Sequence, residues 1–289
     1  MDALNRLLHG SVDLHVHPAP SLFPRRIDEV EATRAADEVG MRAIVVKSHH
    51  HSTAPDALML RKYALQDVKT ELFGAVVLNS YAGGLNPYIV DMTLRYGGRI
   101  VWFPTLSTAA HIKHATEHFP SQQQGAIPEV PIELLDHHGE LVSKAREVLR
   151  LVAGSDAVVS PGHASADEAL EILRGAREAG VRRMIVNHPD LIMEATETQV
   201  LEFCRVGAYI EHSLGMYIQA RPLERLIRWI EVVGPERTVL GSDLGQKNMV
   251  LPLEAYRTVI GRLLDSGVRE SDVEWMIKRN PSWLLKVET

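Results

Sequence analysis

The stretch Val12-Asp13-Leu14-His15-Val16-His17 decides the fold and most of the chemistry. Apolar and polar residues alternate through it, which is the period of a β-strand. Side chains two positions apart share a face, so His15 and His17 are expected to point the same way, with the apolar residues on the other face. The run ends in His17-Pro18-Ala19-Pro20. An open nucleotide-binding sheet would place a glycine-rich phosphate loop at that point, and this segment cannot cradle a phosphate in that way.

Outward from this strand, short apolar runs recur at 43–46, 72–78, 100–103, 157–159, 184–186, 208–210 and 238–240. Helical patterns follow at 27–38, 54–65, 86–96, 140–152, 166–178, 196–205, 222–232 and 253–265, with a last one at 271–285. Near-continuous Val and Ile runs suit strands buried on both faces of a parallel sheet. Eight strand–helix units in 289 residues predict an α/β protein, a (β/α)8 TIM barrel formed as a single domain over 1–289. The rhythm breaks once, at 105–139, after strand four. That segment carries Pro120, Gln122 to Gln124, Pro128, Pro131 and His111, His114, His118, His137 and His138. It reads as an inserted loop or lid whose histidines are solvated by default.

Composition narrows the function. Lys and Arg number 31 against 37 Asp and Glu, a net charge of −6, and no basic run occurs, so nucleic acid is not an expected partner. No apolar stretch approaches the roughly 18 residues of a membrane helix, and the first ten residues lack a signal-peptide core. The lone Cys204 excludes an internal disulfide and reads as a buried structural thiol, so the expected compartment is the cytoplasm. The expected partner is a small-molecule substrate; self-association is left open.

In a parallel barrel the chemistry gathers at the C-terminal strand ends. His15 and His17 lie at the end of strand one. His163 follows strand five, His188 strand six and Asp243 strand eight, each on the first polar turn after an apolar run. Imidazoles with a carboxylate suit a divalent metal, zinc first, with manganese or iron as substitutes. Asp13-Leu-His-Val-His17, His163, His188 and Gly241-Ser-Asp243, together with the ending Asn280-Pro-Ser-Trp-Leu-Leu285, resemble the amidohydrolase superfamily over nearly the whole chain. Val46-Lys-Ser-His49, Gly83-Gly-Leu-Asn-Pro87, Val101-Trp-Phe-Pro-Thr105 and Ser242-Asp-Leu-Gly-Gln246 are similar to a branch described only as a domain of unknown function or as cytosolic amidohydrolase-like proteins. The resemblance implies a barrel and a metal, but no particular substrate.

The binuclear members of that superfamily carry a carbamylated lysine or a glutamate at the end of strand four, where this chain has Trp102-Phe-Pro-Thr105. Lys47, at the end of strand two, is the nearest substitute. It is read either as a bridging carbamate, implying two ions, or as a cation anchoring the substrate, implying one, with a solvated lysine as the third reading. Arg25 and Arg26 in the first loop can grip a carboxylate or serve as surface charges. His49 and Asn86 are further substrate-contact candidates, although Asn86-Pro87 also reads as a helix start. One of Glu211 and His212 should face the cavity. The expected reaction is hydrolysis of a small, carboxylated cyclic amide, lactone, ester or phosphoester, with Asp243 and His188 as the catalytic groups and Asp243 taking the proton from water. The rivals are a zinc-dependent decarboxylase and a metal-binding protein without turnover.

Overall fold

A computed structural model describes residues 3–118 and 127–288. Among them, nine short strands pair with their neighbours in parallel, in three three-stranded sheets. The first sheet holds β1 (Val12–Val16), β2 (Ala43–Val46) and β3 (Glu71–Phe73). The second holds β4 (Ala75–Val77), β5 (Ile100–Trp102) and β6 (Val158–Ser160). The third holds β7 (Ile185–Asn187), β8 (Tyr209–Ser213) and β9 (Thr238–Gly241).

Contacts continue from sheet to sheet. A parallel bridge between Val159 and Met184 links the second to the third. His17 N–H donates to Leu244 O at 2.7 Å and Asp243 N–H to His15 O at 2.8 Å, linking the third to the first. Only Gly74 separates β3 from β4. The run expected as one strand over 72–78 is therefore two, because a side chain at Gly74 would lie 2.4 Å from the Ala54 backbone. Only glycine allows this helix to approach the sheet so closely.

One buried cluster draws Val12, Leu14, Val45, Val77, Trp102 and Val239 together with residues of the remaining strands, and includes Leu284 and Leu285 from the C-terminal helix. Two others, around Val148 and Phe203 and around Ile44 and Tyr256, pack helices against strands. β1 departs from simple alternation. Its register with β2 shifts between Asp13 and Val16, and Val16 packs in a different cluster from Val12 and Leu14.

Helix starts fix the loops that carry polar residues. Capping boxes at Asp28/Glu31, Ser165/Glu168 and Thr196/Gln199 open the helices Glu29–Glu38, Ala166–Ala179 and Glu197–Val206. Each N-cap is worth about 1 kcal/mol, and the second lies two residues past His163. At the C-terminus Asn280 Nδ2 donates to Pro235 O and Thr238 O at 2.8 and 2.6 Å, tying the last helix to the start of β9.

Other expectations are corrected. Helices Ala3–Leu8 and Leu214–Gln219 were not anticipated, and the helix expected from residue 140 begins at Ser143. The excursion 105–139 contains the helix Ala109–His118, and residues 119–126 lie outside the described residues, Pro120 and Gln122 to Gln124 included. Cys204 is half-buried rather than fully buried, with burial pushing its thiol up to about 11. No helix among the described residues is long and apolar enough to cross a membrane.

Glu29, 4% exposed, carries a pH dependence of its own. Burial, reinforced by the charges of Asp56 and Asp28, raises its carboxyl from 4.5 to about 8. The folded chain then holds a proton that the unfolded chain has released. This stabilisation is full below pH 4.5 and is lost as pH rises through about 8. Its slope is at most about 1.4 kcal/mol per pH unit. Glu29→Gln should flatten urea-unfolding stability between those limits relative to wild type. Equal slopes in both proteins would show that Glu29 is ionised in the fold.

Candidate metal centre

β1 delivers its histidines to a common point despite the register shift. His15 Nε2 and His17 Nε2 are 3.2 Å apart, and both side chains are buried. Behind His15, Nδ1 donates to Glu211 Oε1 at 2.6 Å. With the proton on Nδ1, the Nε2 lone pair of neutral His15 faces the site. A carboxylate behind an imidazole in this way fixes ring and tautomer and raises ligand basicity. Burial pushes the Glu211 carboxyl up to about 7. Its neighbour His212 turns away, stacking on Trp229 at 5.9 Å between centroids, beside Asp190 and its ion-paired Arg221 and Arg225. Glu211 is therefore the member of the pair that faces the cavity.

Asp243 reaches the same point from the turn after β9. Its Oδ1 lies 3.2 Å from His15 Nε2 and 3.1 Å from His17 Nε2, and its Oδ2 lies 3.8 Å from His188 Nε2. Donor atoms of His15, His188 and Asp243 all fall within 4.8 Å of one another. Burial works to raise the Asp243 carboxyl, but the facing imidazoles hold it well below its ordinary value. Burial lowers His15 and His17 to about 3 and His188 below its usual range, so the site offers neutral imidazoles around a carboxylate. Asp243 and His188 both adopt left-handed backbone, at φ 55° and 31°. Few non-glycine residues do so, and such strain gathers at functional sites.

His163 stands slightly apart. Gly162 before it has φ 66°, and a side chain there would lie 2.3 Å from Phe103 O. This turn sets His163 at the end of β6, with its ring 5.1 Å from that of His188. Its Nδ1 is 2.9 Å from Nδ1 of His111, on the helix Ala109–His118. His111 was expected to be solvated; the only sequence hint to the contrary was its spacing from His114 at one helical turn.

Lys47 is 2% exposed, which removes the solvated reading. Its Nζ lies 3.0 Å from His15 Nε2 and 4.6 Å from the centre of the Trp102 ring, and burial lowers it to about 8. His49 stacks on His17 at 4.8 Å, with its Nδ1 3.0 Å from Thr105 Oγ1. Arg25 is half-buried, its Nε unpartnered among the described residues; burial lowers it to about 10, against the pull of Asp243. Two candidates are not brought to the site. Arg26 donates to Met249 O at 2.9 Å and lies 3.9 Å from Glu254, on the surface. Asn86 caps the helix Pro87–Arg95 by accepting from Tyr88 N–H, a local task that holds it in place.

The donor set fits a divalent ion. Three heteroatoms, from His15, His17 and Asp243, converge within 3.2 Å, and His15 brings no proton to the contact. Neutral imidazole with carboxylate is the donor set of zinc, manganese and iron.

Residues 10–211 match the model of a family described as "Family of unknown function (DUF6282)". No curated protein matches the sequence. Among solved structures, an amidohydrolase from Pseudomonas aeruginosa has a TM-score of 0.66 at 11% identity, covering 98% of each chain. The phosphotriesterase homology protein from Escherichia coli, solved with phosphate in its active site, has 0.57 at 17% identity over 94% of this chain and 97% of its own. A protein from Pseudomonas putida provisionally named a 2-pyrone-4,6-dicarboxylic acid hydrolase has 0.55 at 15% identity over 97% and 98%. At these identities the likeness is one of fold.

Proposed function

We propose that this chain, which belongs to the DUF6282 family of unknown function, is a metal-dependent hydrolase acting on a small carboxylated molecule, with its three sheets working as one (β/α)8 barrel. The barrel reading is supported by the hydrogen bonds between sheets and by the buried cluster that draws on every strand. The convergence of His15, His17 and Asp243 carries the functional reading. His15, His17, His188 and Asp243 would hold the ion, which supplies Lewis-acid chemistry by polarising a scissile oxygen and acidifying water. Asp243 accepts the proton of the attacking water and passes it to the leaving group; the facing imidazoles keep its carboxyl ionised and so free to accept. Glu211 orients His15.

The cationic character of Lys47 and Arg25 favours an anionic substrate, and Lys47 acts as its anchor. A lactone bearing carboxylates is the substrate class named for one of the structural neighbours, and it suits this charge arrangement. The helix Ala109–His118, within the excursion, belongs to the same domain and brings His111 beside His163.

The test is metal analysis of the purified protein followed by turnover assays of metal-loaded enzyme on lactones, cyclic amides, esters and phosphoesters. The expected result is stoichiometric divalent metal and chelator-sensitive hydrolysis with water incorporated into product. Carbon dioxide release without water incorporation would reassign the reaction as a decarboxylation. Tight ligand binding with no turnover across the panel would leave a binding protein.

A further inference from the structure

We propose that Arg221 and Arg225 form an anion-binding site in a cavity beside His188, where they take a carboxylate or phosphate group. Where that group is a second anionic end of the substrate, the site rests on the hydrolase reading above; as an anion site it stands without that reading.

The cavity measures about 420 Å³, and its polar lining is Asp190, Glu194, Arg221, Arg225 and His114. Two of its walls lead to the metal centre. Asp190 follows His188 by two residues, in a turn where Leu191 N–H donates to His188 O at 3.0 Å. His114 stands about one turn beyond His111 on the helix Ala109–His118, and His111 Nδ1 lies 2.9 Å from His163 Nδ1.

The cavity wall is positive. Arg221 Nη1 and Arg225 Nε both donate to Oδ2 of Asp190, the second at 3.0 Å, and Arg221 Nη2 donates to Asp190 O at 2.9 Å. Trp229 Nε1 donates to the same Oδ2 at 3.3 Å. Two guanidiniums on one carboxylate leave a net positive charge. The Asp190 side chain is 1% exposed, whereas those of Arg221 and Arg225 are 20% and 47% exposed, so the cavity meets the guanidiniums rather than the carboxylate. An ion pair that only pinned the His188 turn would be complete with Arg221, which holds both the side chain and the carbonyl of Asp190. Arg225 exceeds that task. No hydrogen bond to either of its Nη atoms occurs among the described residues. That open edge of the fork matches the paired oxygens of a carboxylate or phosphate. The helix Leu223–Val233 begins between the two arginines with no side-chain cap, and its positive end adds to the same wall. Glu194, on the lining, is the exposed carboxylate that opposes this charge.

The test is a calorimetric titration of the metal-loaded protein with inorganic sulfate, which carries the charge and oxygens of the proposed group and is a poor metal ligand. Saturable binding of one sulfate per chain is expected. Arg225→Gln should weaken it by about 10-fold or more. Arg225→Lys, which keeps the charge without the fork, should weaken it less. Glu194→Gln should strengthen it by about threefold, because an opposing charge is removed; a loosened fold would not do that. Thermal melts check that the Arg225 variants are folded. No saturable binding to wild type, or equal affinity in wild type and Arg225→Gln, would overturn the proposal. Kinetics then identify the source of the anion, on a panel substrate that the metal-loaded enzyme turns over. Competitive inhibition by sulfate, with a rise in KM in Arg225→Gln that exceeds its loss in kcat, would make the anion an end of the substrate. Noncompetitive inhibition or activation would make it a separate small anion. Absence of turnover across the panel would remove the hydrolase reading and leave the sulfate titration to decide the site.

Discussion

Asp243→Asn should fold and retain most of its metal while losing about 10³-fold in kcat, within the usual range for removal of a general base. Asparagine tolerates the left-handed backbone that residue 243 requires at φ 55°, so the turn after β9 keeps its shape. Its amide oxygen can still face His15 and His17, the neighbours of Oδ1 at 3.2 and 3.1 Å, but it cannot accept a proton from water. Some loss of metal affinity should accompany the change, because a neutral oxygen replaces a carboxylate among neutral imidazoles. Kinetics of the metal-replete variant, on whichever substrate the wild type turns over, separate the two effects. A kcat within tenfold of wild type would show that the proton acceptor lies elsewhere.

His15→Ala should be more damaging. It removes the nitrogen at the centre of the site, where His17, Lys47 and Asp243 meet within 3.2 Å, and it strands Glu211 without its 2.6 Å partner in a buried position. Metal affinity should fall by well over 100-fold, because Glu211→Gln, which only loosens the ring behind the ligand, is expected to cost 10- to 100-fold. The graded series of wild type, Glu211→Gln and His15→Ala can be read by competition with a fluorescent zinc chelator. Equal affinities for all three would remove His15 from the ligand set. Weakening in His15→Ala alone would deny Glu211 its orienting part.

The ligand candidates could be found in the sequence because their positions depend on local rules. An apolar run followed by a polar turn marks a strand end, and His163, His188 and Asp243 lie at such points, while His15 and His17 were marked by their alternation with the apolar residues of the first strand. The parallel α/β character followed from the same runs. What could not be read depended on distant parts of the chain. Whether Glu211 or His212 faced inward required knowing which residue meets His15 and which meets Trp229, each contact made with another element. Arg25 and Arg26 are adjacent and chemically alike, and only the pairing of Arg25 with Gln246 turns one toward the site and the other toward Glu254. Gly74 broke a strand because of a helix some twenty residues earlier. His111 was hidden for a related reason: it sits in the one region without strand–helix rhythm, so no periodicity pointed to it.

The left-handed turns at His188 and Asp243 set the interests of the fold against those of the site. Each stores on the order of 1–3 kcal/mol that a glycine would release. A lineage that gave up the reaction would therefore gain stability by drifting at these two positions before most others. In a related chain, glycine at both positions, with the strand pattern intact, would be the first sign of a scaffold that has outlived its chemistry.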